Sequence, residues 1–264
     1  VRRSRLSSSP SRSVLITGAS SGIGAACAKR LAANGWQVYA GVRNPGDAPE
    51  ETTELILDVT DPPPLSFDRL DAVVNNAGIA IAAPLEDLPL DELRRQLEVN
   101  VVGQLAVTKA VLPALRAAHG RIVIVGSIAG RSALPFLGAY AISKFALEAM
   151  SDSLRLELRP DGIAVSLVEP GTIATPIWTK PQPLADGVSE RYVSRIEHFR
   201  KVAAARAARA APVERVAEAI DHALTSERPK TRYLVGRDAK IRATIEKLPD
   251  RLRDRVVRHA LLGD

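Results

Sequence analysis

Cysteine occurs once in this chain, at Cys27. That excludes an internal disulfide and a thiolate metal cluster, and it suits a reducing compartment. The four histidines (His119, His198, His222 and His259) are scattered without ligand spacing, so no metal is expected. Aromatic residues make up only 4% of the chain, and a core poor in rings suits a Val/Ile/Leu-rich parallel sheet between helices. No apolar run approaches the length of a membrane span, so a soluble, cytoplasmic protein is expected. Excess positive charge is also missing from the body. Of the net +6, Arg2, Arg3, Arg5 and Arg12 supply +4, leaving +2 for the other 252 residues, and no nucleic-acid partner is expected. Residues 1–12 are Ser/Arg-rich without the apolar stretch of a signal peptide, and read as a disordered, solvated basic tail.

What the chain does contain is short apolar runs alternating with longer helical patterns. VLIT (14–17) precedes a helix around 22–34; QVYAGV (37–42), ELIL (54–57) and DAVVNN (71–76) follow. A long helix around 89–118 leads to RIVIVGS (121–127), another helix ends near Pro160, and IAVSLVEP (163–170) and RYLVG (232–236) are the last strands. Repeated βα units predict an α/β protein with a doubly wound Rossmann fold and a parallel sheet of about seven strands. Residues 13–236 read as one domain of that kind, with 237–264 as its helical extension. Two crossovers are short: eleven residues separate Arg43 from Leu55, and twelve separate Asp58 from Asp71. The first holds Pro45, Gly46 and Pro49, the second Pro62, Pro63 and Pro64, so both are predicted to have lost most of their helix.

VLITGASSGIG runs a strand through a glycine-rich turn into a helix. Gly18, Gly22 and Gly24 follow a G-x3-G-x-G spacing, which differs from the G-x-G-x-x-G dinucleotide fingerprint. Glycines let a backbone turn sharply and approach a pyrophosphate, whose charge meets free N–H groups at a helix N-terminus. The hydroxyls of Thr17, Ser20 and Ser21 add donors. Taken alone, the segment also fits a tight strand-to-helix corner.

YAISKFALEAM (140–150) places a phenol and an ammonium one helical turn apart, at Tyr140 and Lys144. A surface pair at this spacing is common. A tuned acid is the sharper alternative: a cation about 4 Å away in an effective dielectric of about 20 contributes roughly 4 kcal/mol towards the phenolate. Lys144 is therefore expected to bring the phenol of Tyr140 towards neutrality, with desolvation opposing part of the effect.

TGASSGIG, NNAG (75–78), VNVVG (99–103), Ser127, Tyr140-x3-Lys144 and EPGTIATP (169–176), in this order, resemble the short-chain dehydrogenase/reductase family over residues 13 to about 236. The look of the chain is nearest to its hydroxysteroid and retinol dehydrogenase-like members. The resemblance implies a catalytic tetrad at Asn100, Ser127, Tyr140 and Lys144. Tyr140 is then the general acid in reduction and base in oxidation. Ser127 bonds the substrate oxygen as charge develops, Lys144 also holds the nicotinamide ribose, and Asn100 fixes a water leading from Lys144. It implies cofactor contacts from Gly18, Ser20, Ser21, Gly22, Ile23 and Gly24. Further contacts are implied from Asp58 and Val59 at the adenine, from Asn76, Ala77 and Gly78, and from Pro170, Gly171, Ile173 and Thr175.

After the second strand, where an acid would bind ribose hydroxyls, the chain offers Val42 and then Arg43. A guanidinium gives a 2′-phosphate a fork of charged donors, so NADP(H) is preferred over NAD(H). From Thr172 to about Ala211 no strand pattern is visible, and Ile173, Ile177, Trp178, Leu184, Tyr192, Ile196 and Phe199 stand among polar residues. By resemblance this insertion closes over the substrate. Its apolar content, with Pro135, Phe136 and Leu137, points to a hydrophobic carbonyl/alcohol pair. Ser127, Phe136, Tyr140, Ile177 and Trp178 are the expected substrate contacts. In the C-terminal extension Leu248, Leu252, Val256 and Leu261 mark one helical face opposite Arg251, Arg253, Arg255 and Arg258, expected to pack on the body rather than touch a membrane.

The leading expectation is an NADP(H)-dependent oxidoreductase that forms a homodimer or homotetramer through the helices near 89–118 and 138–158, as the resemblance implies. A 3-ketoacyl-(carrier protein) reductase is disfavoured by the C-terminal extension, and a sugar-nucleotide epimerase by the lack of a large sugar-binding domain. A dinucleotide-sensing regulator without turnover is the rival from another class, and a sensor does not require the acid.

Overall fold

The computed structural model of the chain describes residues 12–175, 177 and 188–261. Residues 1–11 of the basic tail, the expected substrate contact Trp178 and Leu184 of the insertion lie outside them. Seven strands are described: β1 (Ser13–Thr17), β2 (Gln37–Val42), β3 (Thr53–Ile56), β4 (Ala72–Asn75), β5 (Arg121–Val125), β6 (Ala164–Pro170) and β7 (Arg232–Val235). They form one sheet in the order β3-β2-β1-β4-β5-β6-β7, every pair parallel. The order reverses between β1 and β4, and in such sheets a crevice for ligands opens outside the carboxyl ends of the strands at that point.

The described helices are α1 (Gly22–Ala33), α2 (Leu90–Leu97), α3 (Gly103–Ala118), α4 (Gly138–Glu157), α5 (Glu190–Ala207), α6 (Glu214–Thr225), α7 (Arg237–Ile245) and α8 (Asp250–Leu261). A π-helical turn, Glu98–Val102, joins α2 to α3 without a break. One core layer sets Cys27, Ala28 and Leu31 of α1 and Val216, Ile220 and Leu224 of α6 against Val14, Ile16, Val74 and Val123. The opposite layer sets Val107, Val111 and Leu115 of α3 and Leu147 and Leu154 of α4 against Leu15, Val73, Ile122 and Leu167. Strands covered on both faces carry apolar residues without alternation, as the wholly buried SVLIT of β1 does. Each fully buried Leu or Ile contributes about 1.5–3 kcal/mol.

Both shortened crossovers are found: neither 43–52 nor 57–71 contains a helix. Two expectations are corrected. Residues Leu90–Ala118 are, by length and composition alone, sufficient to cross a membrane. The sequence reading overlooked this because Glu92, Arg94, Arg95 and Glu98 crowd one end; Val107, Val111 and Leu115 use the apolar character of the other end for the core. The face assigned to the last helix is also rotated. Leu252 and Val256 are exposed, while Leu261 is buried and Arg253 is drawn half inside by carboxylates of Glu246, Asp250 and Asp254.

Candidate active site

Four strand ends on one edge of the sheet carry the motifs. After β1, Gly18 turns at φ 64° and Gly22 opens α1 at φ 55°, in the left-handed region that glycine reaches without strain. A Cβ on Gly24 would lie 2.2 Å from the carbonyl oxygen of Gly18 and 2.6 Å from Asn76 Nδ2. The loop after β4 is latched to this turn. Thr17 Oγ1 accepts from the N–H groups of Asn76 (3.0 Å) and Ala77 (2.9 Å), and Asn76 Nδ2 donates to the carbonyls of Thr17 (2.9 Å) and Gly18 (3.0 Å). The Asn76 side chain is thus committed to shaping the turn. In α1 the first turn holds no acidic residue, and Ser21 at its N-cap makes no capping bond. Free N–H groups, the positive helix end and the exposed hydroxyls of Ser20 and Ser21 therefore face the crevice, and this cradle fits a pyrophosphate.

At the end of β2, Val42 is buried and Arg43 exposed. The Asp58 carboxyl, after β3, is held below its ordinary range by hydrogen bonds from the N–H and hydroxyl of Thr60, with the nearby Arg43 charge adding to the effect. Arg43 and Asp58 thus stand together at the outer end of the crevice. Val59 is buried, and a Cβ on Gly103 would lie 2.7 Å from its carbonyl oxygen.

At the other end, β5 delivers Ser127 and α4 delivers Tyr140 and Lys144, all buried. Ser127 Oγ accepts from Ala129 N–H (3.1 Å), which caps a short 3-10 turn and leaves the hydroxyl proton to point elsewhere. Lys144 Nζ donates to the Val125 carbonyl (2.9 Å) and lies 5.6 Å from the centre of the Tyr140 ring. Asn100 sits in the π-helical turn. Its Oδ1 accepts from Ile79 N–H (2.8 Å), and its Nδ2 donates to the Ile79 carbonyl and to Ser143 Oγ, both at 3.0 Å. Its side chain therefore ties the loop after Gly78 to α4.

The expected tuning of Tyr140 is reversed in the chain by itself. Burial pushes the phenol up, and the opposing effects come from a hydrogen bond with Ser127 and from the charge of Arg242. Lys144, equally desolvated, is pushed down to about 8. The i,i+4 spacing brings the Lys144 ammonium to 5.6 Å from the ring centre, not the roughly 4 Å from the phenol that was expected, and burial, a tertiary property, sets the direction of the shift. The sign for stability follows. An ordinary lysine titrates near ~10.4, so below about pH 8 the fold carries the full cost of a buried ammonium. Between there and about pH 10.4 that cost is relieved, by up to about 3 kcal/mol in all. Denaturant melts of the parent and Lys144→Met are expected to show the variant's relative stability falling steadily from pH 8 to pH 10. A gap that stays constant would contradict the burial of charge.

The β6 end is held by Gly171 N–H on the Val235 carbonyl (2.8 Å) and Thr172 N–H on Asp238 Oδ2 (2.6 Å). Ile173 is buried and forms a bridge with Ala211, and Thr175 is half-buried. Phe136, at φ 63°, meets Tyr192 and Phe199 of α5 edge-on, with centroids 6.2 and 5.6 Å away. Ile177 packs with Ala80, Ala129 and Tyr140. Of the expected apolar residues of the insertion, Ile177 thus reaches Tyr140, while Tyr192 and Phe199 reach Phe136.

Sequence reading missed three groups. Asp238 latches the β6 turn, and its only local signal is an acid in the first turn of α7. Arg242 approaches Tyr140 with no local signal at all. Behind the site, Glu169 is buried and paired with Arg131, and it raises the neighbouring Glu148 carboxyl, already lifted by burial, to about 7.

A glycine turn latched at the switch point, with Ser127 at an adjoining strand end and Tyr140 and Lys144 of α4 beside it, defines a Rossmann-type protein built to hold a dinucleotide. The family model for short chain dehydrogenase matches residues 12–62 and 64–183, and the chain belongs to that family. It is 33% identical to an NADPH-dependent 3-dehydrocapnine reductase of Ornithobacterium rhinotracheale, over 93% of this chain and 95% of that one. It is 35% identical to retinol dehydrogenase 5 of Mus musculus, over 86% and 81%. A short chain dehydrogenase from Burkholderia cenocepacia, solved in complex with NADP, shares the fold at a TM-score of 0.71, 26% identity and coverage of 96% and 98%.

Proposed function

We propose that the chain is an NADP(H)-dependent oxidoreductase that interconverts a hydrophobic ketone or aldehyde and its alcohol. One observation carries the reading: Ser127, Tyr140 and Lys144 are buried together beside a cradle that only a backbone without Cβ at Gly24 can form. The bound dinucleotide supplies or accepts the hydride. Tyr140 gives its phenolic proton to the alkoxide oxygen in reduction and takes it back in oxidation. Ser127, with its oxygen occupied by the Ala129 N–H, directs its hydroxyl proton to the same oxygen as charge grows there. The Lys144 ammonium favours the phenolate left behind, and Asn100 positions α4 through Ser143.

Arg43 beside an exposed crevice end, and the NADPH dependence of one relative and the NADP bound to one solved neighbour, support the choice of NADP(H). Arg43→Glu is expected to lower NADPH affinity by about 10- to 100-fold, as loss of a charge-assisted contact with added repulsion does, and to raise relative use of NADH. Unchanged NADPH titrations would overturn the assignment. Apolar residues exposed on the π-helical turn, α3 and α4 (Val102, Leu105, Ile142 and Phe145) support a homo-oligomer, and the free, buried Cys27 fits the cytoplasm. Residues 13–236 then form the catalytic domain, with α7 and α8 as its extension, an addition that disfavours the carrier-protein reductase.

The test is NADPH consumption with steroids, retinoids, aliphatic ketones and ketoesters, and the reverse with alcohols. Turnover of a hydrophobic member supports the enzyme. Cofactor binding with no turnover in either direction gives the answer to the sensor reading.

A further inference from the structure

Arg242 stands 102 positions after Tyr140, yet α7 brings its guanidinium into the pocket wall. Its Nη2 donates to the carbonyl of buried Ser132 (2.5 Å), in the loop between Ser127 and Tyr140. Its Nε is wholly buried and, among the described residues, has no hydrogen-bond partner. Among the described residues no carboxylate lies within ion-pair distance of it. The two acids nearby on the same side are otherwise engaged: Asp238 accepts from Thr172 N–H (2.6 Å), and Glu246 meets Arg253 at 3.5 Å. Arg206 of α5 faces the same region and adds positive charge. Burial pulls Arg242 down to about 10, a sign that its surroundings do not compensate the charge.

A desolvated guanidinium with an idle donor is costly, and in a concave site the missing acceptor is a group that a ligand brings. Arg prefers planar, two-oxygen acceptors, which it binds through its fork. We propose that Arg242 is a specificity-determining residue that receives a carboxylate of the substrate, so that the preferred substrates are hydrophobic oxo or hydroxy acids. This rests on Tyr140 marking the reacting carbon; the carboxylate is then the second anchor.

The experiment measures binding and turnover of 4-acetylbenzoate, 6-oxoheptanoate and 10-oxoundecanoate, each beside its methyl ester, on the enzyme with NADPH. The parent is expected to bind at least one acid tenfold or more tighter than its ester. Arg242→Gln is expected to erase that ratio in binding, while Arg242→Lys, which keeps the charge but not the fork, retains part of it. No preference for any acid in the parent overturns the proposal, as does a ratio that survives in Arg242→Gln. The parent result decides even if that variant does not fold. Tyr140→Phe separates the two readings: the acid preference in binding persists there while turnover is lost. Turnover that survives in Tyr140→Phe sinks the tyrosine reading, and the binding ratio still judges Arg242.

Discussion

Tyr140→Phe is expected to lower kcat for carbonyl reduction by about three orders of magnitude, the scale on which a positioned general acid acts, with NADPH binding left intact. The phenol is buried, with Ile177, Ala80 and Ala129 around it and Ser127 in hydrogen-bonding reach. Water is therefore poorly placed to replace its proton. Phenylalanine keeps the ring and its packing, so the loss would fall on the chemical step and not on the fold. Burial also raises the phenol above its ordinary range in the chain alone, which keeps it protonated through neutral pH, the form that reduction needs. Stopped-flow oxidation of NADPH measures the rate, and a fluorescence titration of the same cofactor measures binding. A kcat within tenfold of the parent removes Tyr140 from the role.

The second large effect belongs to Gly24. Gly24→Ala is expected to weaken NADPH binding by about 100-fold or more, equivalent to about 2.7 kcal/mol, and to destabilise the chain by about 1–3 kcal/mol through overpacking. The new methyl group would lie 2.2 Å from the Gly18 carbonyl oxygen, a contact that backbone on both sides must move to relieve. That movement pushes α1 away from the turn and pulls at Asn76, whose amide holds Thr17 and Gly18 together. The helix end and the loop that form the cradle would be displaced together. Calorimetric titration and thermal melts check both parts. Parent-like affinity would show that the turn is only a corner between strand and helix.

Much of this was readable because its causes are local. Val14 to Thr17 spell a strand buried on both faces, Gly18 and Gly22 take up left-handed angles at the predicted turn, and prolines remove the helices from 43–52 and 57–71. Tyr140 and Lys144 share a face because helices repeat every 3.6 residues. What was not readable depends on distant chain. The direction of the Tyr140 shift follows from the residues that bury it. Arg242 reaches the pocket only because β7 joins the far side of the sheet and α7 folds back from it. The last helix was misjudged because Arg253, charged and outward by composition, is drawn in by three carboxylates, while Leu252 and Val256 are left outside.

The loss of two crossover helices leaves the sheet shielded unequally. Of β3, three of four residues are exposed, Ile56 among them, and β2 is its one strand partner in the described sheet. Local opening begins where apolar cover is thinnest, and Asp58 and Arg43 sit at that margin. A nucleotide gripped there would act as a clasp on the frailest seam of the molecule, so that occupancy and resistance to unravelling rise together.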